Sequence, residues 1–213
     1  MNFTEFIDIV KDLPVFETGF ILSGNVNANY LLKQMSLWVK SGKVYQLKRG
    51  LYTLAPPYQK IKPHPFLLAN RLQPASYVSL QSALLYYGLI PEYVPSTTSI
   101  TTKKPGSWET PLGTFAYRHI QMSWFNNYAS IDLDGKQTAF VANPEKAILD
   151  LILLESKSDS MEYLRELRLQ NLEVLNLKEM KRLVVKSGKP KLARAFKHIT
   201  QLELDDKKGY QKL

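Results

Sequence analysis

The sequence predicts an α+β fold in two parts, and three observations predict it. Before residue 57, apolar residues recur three times at helical spacing and then switch to a short alternating hairpin. Four prolines follow, Pro56, Pro57, Pro63 and Pro65, and mark a stiff extended connector with no regular ladder. Beyond them the pattern is mixed, an apolar helical run first, then strand-like alternation, then helical periodicity to the end. A chain of 213 residues is long for one domain and short for three, so residues 1–57 and 58–213 are the natural division.

In the first part Phe3, Phe6, Ile7 and Val10 define a helix. Pro14 ends it and opens a second, carrying Val15, Phe16, Phe20 and Ile21, and Ser23-Gly24-Asn25 reads as a turn. A third helix is expected from about Ala28 to Ser41, with Asn27 as its N-cap and Gly42 just past its end. Leu31, Met35 and Trp38 form an apolar stripe on it, with Leu32 and Val39 beside them, and the stripe should be buried. Lys43–Leu47, a Lys48-Arg49-Gly50 tip and Leu51–Leu54 read as a β-hairpin.

In the second part an apolar helix is expected over Tyr77–Tyr87, stopping at Gly88. Thr97–Thr102 and Phe115–Ile120 read as strands. Ser123–Leu133 and Lys136–Val141 form a further hairpin about Asp134-Gly135. Asn143-Pro144-Glu145 combines a cap, a proline at the first helical position and an acid in the first turn, and opens a helix through Leu154. Helices around Met161–Gln170, Lys178–Lys186 and Lys191–Leu202 complete the chain. The tetrapeptide Lys-Ser-Gly-Lys occurs at 40–43 and again at 186–189, each time as a helix end.

Composition narrows the function. Hydrophobic content of 45% supports real cores, and the net charge of +9 favours a polyanionic partner. Without cysteine there are no disulfides and no thiolate metal sites. No segment has the apolar length of a membrane span, and the N-terminus reads as an amphipathic helix, so no membrane partner and a cytoplasmic location are expected. Charge is uneven. From Thr18 to Pro91 there is no Asp or Glu, against eight Lys and Arg. Such a stretch needs an external anion, and nucleic acid is the commonest large one.

Three helices followed by a two-stranded flap is the order of a winged helix-turn-helix, in which the helix before the wing lies in the major groove. The full expectation is therefore an N-terminal winged helix-turn-helix domain followed by a larger mixed α/β domain with a small antiparallel sheet and several C-terminal helices. The polar half of the third helix offers Asn27, Asn29, Tyr30, Lys33 and Gln34 to base edges. Lys40, Lys43, Lys48 and Arg49 are placed to hold phosphates. A second basic face is expected near the C-terminus, from Lys181, Arg182, Lys189, Lys191, Arg194 and Lys197, serving either nucleic acid or a protein partner.

Enzyme signatures fail. Ser187-Gly188-Lys189 lacks the upstream glycine of a phosphate loop, and His64, His119 and His198 lack metal-ligand spacing. No catalytic residues, metal or cofactor are expected. Three alternatives stay open: a stand-alone regulator with a sensing C-terminal domain, a metal-dependent nuclease built on Asp132, Asp134, Glu145 and Lys146, and a protein-interaction module.

Four stretches carry a family resemblance: Leu37–Lys43 leading into Leu47–Tyr52; Tyr77–Leu84 with Tyr87–Pro91; Thr110–Phe115 with Tyr117–Ile120; and Asn143–Asp150. In that order the chain resembles the AbiEi antitoxins of type IV toxin–antitoxin (abortive infection) systems. The resemblance implies a winged helix that binds double-stranded promoter DNA at inverted repeats and represses its own operon. It also implies a C-terminal domain that counters a cognate nucleotidyltransferase-like toxin, with basic residues there taking part.

Overall fold

The computed structural model describes residues 1–22 and 27–210, so the turn expected at Ser23-Gly24-Asn25 lies outside the described residues. Helix α1 (Phe3–Val10) starts with a capping box. The Asn2 side chain accepts from the Glu5 amide, and the Glu5 carboxylate accepts from the Asn2 amide, both at 2.9 Å. The second expected helix is shorter than its pattern. Phe16–Glu17 is a strand, β1, and α2 covers only Thr18–Leu22. Helix α3 (Ala28–Lys40) is followed by β2 (Val44–Lys48) and β3 (Leu51–Leu54). Phe16 pairs with Tyr52 and Glu17 with Leu51, so the hairpin draws this segment into a three-stranded antiparallel sheet, β1-β3-β2. Tertiary pairing here overrides the helical spacing of Phe16, Phe20 and Ile21.

The aromatic rings of α1, α3 and β1 close one core. Phe6 lies 4.6 Å from Trp38 and 5.5 Å from Phe16, centroid to centroid, with Leu31, Met35, Val44 and Leu54 packed around them. Strand residues alternate in direction, and this hairpin has both faces covered. Val44, Tyr52 and Leu54 enter the first core, whereas Leu47 and Leu51 enter the larger second one.

The proline connector is shorter than expected. Pro65 opens a helix, α4 (Pro65–Leu72), whose N-cap is His64. The apolar run at Tyr77–Tyr87 is likewise not one helix. It divides into β4 (Ser76–Val78) and α5 (Leu80–Tyr86), with Ser79 extended and Leu80 at φ +57°. Pairing of β4 with β5 (Ser96–Thr101) on one side and β9 (Gln137–Ala142) on the other accounts for the split. Strands β6 (Gly106–Thr110), β7 (Gly113–His119) and β8 (Tyr128–Leu133) complete the order β6-β7-β5-β4-β9-β8.

This sheet corrects the expectation of a small antiparallel one in the second part. It has six strands and is mixed, with β5–β7 and β4–β9 parallel. Strand β6 folds back along the outer side of β7, so β7 meets β5 running in the same direction. The small antiparallel sheet belongs to the N-terminal part.

Helices α6 (Pro144–Leu154), α7 (Met161–Glu166), α8 (Leu177–Ser187) and α9 (Pro190–Tyr210) follow. Helix α6 is central and is packed by α5, α8 and α9. Gly188 and Gly42 both adopt the left-handed conformation that ends a helix, at φ 62° and 70°. Asn143 occupies the cap position of α6, but its side chain makes no capping bond there. Among the described residues no helix is long and apolar enough to cross a membrane.

Candidate nucleic-acid interface

The exposed face of α3 carries most of the expected base-reading set. Asn27, Asn29, Tyr30 and Lys33 are exposed, and Gln34 is half-buried. The Asn27 side-chain oxygen accepts from the Tyr30 amide at 3.1 Å, so it caps the helix and leaves only its amide NH2 for other partners. Leu31, Met35 and Trp38 are buried as expected. Leu32, placed beside that stripe, is 45% exposed, whereas Val39, its companion there, packs against the first core. Leu37 is 55% exposed.

The four expected phosphate contacts divide. Lys40 and Arg49 are exposed and make no ion pair among the described residues. Lys43 turns toward α1, its ammonium 4.7 Å from the Phe3 ring centroid. Lys48 departs most from expectation. Its ammonium donates to the carbonyls of Arg71 at 2.7 Å and Leu72 at 2.9 Å, at the C-terminal end of α4. A cation suits those carbonyls, which have no partner within the helix. Burial lowers the Lys48 pKa below the usual lysine range, with Glu17 opposing and Lys103 adding to the shift. Lys48 therefore anchors the hairpin to the second part and does not project from its tip. The tip itself is Arg49 beside Gly50, and the Gly50 carbonyl accepts from the Thr18 amide at 3.0 Å.

Two more cations of the acid-free stretch are matched by carboxylates upstream of it: Lys60 pairs with Asp12, and Arg71 with Glu17 at 3.8 Å. Lys33, Lys40 and Arg49 keep their charge uncompensated among the described residues.

The C-terminal basic face is also divided. Arg182 is bound to Glu179 at 2.5 and 2.7 Å, and Arg194 to Asp159 at 2.7 Å. Each arginine holds its partner's carboxyl below the usual carboxylate range. Lys191 donates to the Glu155 carbonyl. Lys181, Lys189 and Lys197 are exposed and unpaired among the described residues, so the face is half the cationic surface expected of it.

The nuclease-like set does not assemble. Asp132 and Asp134 are exposed near the β8–β9 turn, while Glu145 is buried and accepts from the Asn176 amide at 2.6 Å. No group of three His, Cys, Asp or Glu side chains among the described residues could hold a metal ion. Lys146 belongs instead to a buried cluster that sequence reasoning missed. It is ion-paired with Asp150 and donates to the Tyr77 hydroxyl at 2.8 Å. Asp150 in turn accepts from Tyr77 at 3.0 Å, Ser79 at 2.8 Å and the Trp124 indole N–H at 2.7 Å. The available signal was an i, i+4 Lys/Asp pair inside the most apolar run of the chain.

No protein-family model matches the chain, and no curated protein sequence matches it. Among solved structures, a crystal structure of the RV2827C protein from Mycobacterium tuberculosis is similar, with a TM-score of 0.56 at 13% identity. The similarity covers 92% of this chain and 76% of that one. At this identity the likeness shows the fold alone.

Proposed function

We propose that the N-terminal part is a winged helix that binds duplex DNA, and that the chain is a cytoplasmic antitoxin that represses its own promoter. One observation carries the DNA-binding reading: Lys33 on the exposed face of α3, beside Asn29 and Tyr30, and Arg49 at the hairpin tip are exposed and make no ion pair among the described residues. The order helix, short strand, two helices and hairpin, with the sheet order β1-β3-β2, supports the winged form. In this reading Asn29, Tyr30, Lys33 and Gln34 address bases, and Lys40 and Arg49 hold phosphates.

The antitoxin reading rests on the AbiEi resemblance, with a nucleotidyltransferase-like toxin as the opposed partner. A salt titration of promoter DNA binding tests the first half. Replacing Lys40 and Arg49 together with alanine is expected to flatten the slope of log affinity against log salt by about two units. An unchanged slope removes this surface from the interface. Co-expression with the neighbouring gene tests the second half, with rescue of growth as the expected result. A stand-alone regulator with a ligand-sensing second part is the other reading, favoured by the cleft described next. A nucleotidyltransferase gene beside this one decides for the antitoxin.

A further inference from the structure

A cleft of about 440 Å3 opens on the second part, away from the α3 surface in sequence and built from other elements. The end of β7 and the turn after it contribute His119, Gln121 and Asn126, and the α8–α9 junction contributes Lys186 and Lys189. The lining is completed by apolar side chains, Leu154 and Leu183 among them, and by the Trp124 indole.

Charge decides what such a cleft can hold. No carboxylate lines it. The neighbouring cations Arg182, Lys191 and Arg194 are all tied to oxygen partners, but Lys186 and Lys189 have no ion-pair partner among the described residues. Two unneutralised ammoniums at a concave, partly apolar site raise the local positive potential and select an anion over a cation. Size and lining decide the rest. Clefts of roughly 300–1,000 Å3 with apolar walls and a few polar groups take whole small molecules, so a bare inorganic ion would leave the aromatic and aliphatic lining unused.

The lining is also set in advance. The Trp124 N–H is held by Asp150 at 2.7 Å, and the Lys146 ammonium lies 4.5 Å from the indole ring centroid, so the ring is fixed before any ligand arrives. His119 is oriented too. Its Nδ1 lies 3.0 Å from the Lys103 carbonyl, which can only accept, so Nδ1 carries the proton and Nε2 is left free to meet a ligand.

We propose that this cleft binds a phosphate monoester of nucleotide size, with the phosphate between Lys186 and Lys189 and the base along Leu153, Leu154 and the exposed edge of Trp124. A free mononucleotide and the phosphorylated end of a nucleic-acid strand share this chemistry. The proposal stands independently of DNA reading by α3.

Isothermal titration of the full chain tests it, with adenosine and uridine 5′-monophosphates, adenosine, inorganic phosphate and a short 5′-phosphorylated single strand as probes. The monophosphates should bind saturably, with adenosine and inorganic phosphate each about tenfold weaker or more, the scale of losing one charge-assisted contact or the apolar contact of the base. The K186A/K189A double variant should lose about tenfold or more in nucleotide affinity at an unchanged melting temperature, since both side chains are exposed. Tighter binding of the phosphorylated strand than of the monophosphates assigns the site to a strand end, and equal or weaker binding assigns it to the free nucleotide. Absence of saturable binding by both monophosphates and the strand overturns the proposal, as does wild-type affinity in K186A/K189A. The Lys40→Ala, Arg49→Ala variant is expected to keep wild-type nucleotide affinity, so failure here and failure of the DNA reading are distinguishable.

Discussion

Lys146 and Asp150 stand one helical turn apart on α6 and form an ion pair to which solvent has no access. Burial pushes the Lys146 ammonium below the usual lysine range, opposed by Asp150, and pushes the Tyr77 phenol far above its ordinary value. The pair is held only because every remaining oxygen and donor around it is matched.

Asp150→Asn keeps the shape but strips Lys146 of its counter-charge. Loss of one partner from a buried pair costs about 3–5 kcal/mol, and urea unfolding should show it. Replacing both residues, Lys146→Met with Asp150→Leu, should recover none of that loss. The hydroxyls of Tyr77 and Ser79 and the Trp124 N–H would stay buried without an acceptor, at about 1–3 kcal/mol each.

Lys48→Met and Arg49→Ala should separate anchoring from phosphate contact. Lys48→Met leaves two helix-end carbonyls without their donor and should lower the melting temperature while changing the salt slope of DNA binding by less than about one unit. Arg49→Ala should do the reverse, leaving the melt in place and flattening the slope by about one unit. Parallel thermal melts and salt titrations of the two variants check this.

His64 makes stability depend on pH. Its Nδ1 accepts from the Phe66 amide at 3.1 Å at the start of α4, which requires the neutral ring, and burial lowers its pKa below the ordinary 6.5 with Asp134 opposing. A positive ring at a helix N-terminus is also disfavoured by the dipole. Above pH 6.5 the ring is neutral in both folded and unfolded chains, and its capping contribution is complete. As pH falls below 6.5 the unfolded chain takes the proton first, so stability declines until the folded ring also titrates. Melts between about pH 7 and pH 5 should show this decline reduced in His64→Asn, which can still cap.

In the C-terminal basic face, the free cations and the tied ones should behave differently. Lys181→Ala with Lys197→Ala is expected to weaken growth rescue in co-expression without lowering the melting temperature. Arg194→Ala frees the Asp159 carboxyl from the arginine that holds its pKa down. Asp159 contributes stability that is present above the ordinary carboxylate pKa of 3.8 and is lost as pH falls through its lower folded value. Acid-unfolding curves of Arg194→Ala should therefore lose that part of the pH dependence.

Elements announced by local chemistry were legible in the sequence. Asn27, Gly42, Pro144 and Gly188 mark helix ends that the structure places within a residue or two. Elements created by partners were not. The two residues of β1 exist because Phe16 and Glu17 meet β3, and β4 interrupts a helical pattern because Val78 meets Val141 across the sheet. Pro65 opens α4 although its setting among prolines suits an extended connector, since proline is equally at home in both. At the candidate interface the residue types on α3 were legible from periodicity. The fate of Lys48 was not, because its acceptors lie more than twenty residues downstream.

The β2–β3 hairpin gives Val44, Tyr52 and Leu54 to one core and Leu47 and Leu51 to the other, and Lys48 fastens it to the end of α4. Severing the chain at Pro56-Pro57 would thus cut a covalent link without following a seam in the packing. Each fragment would carry away surface that the other had kept dry.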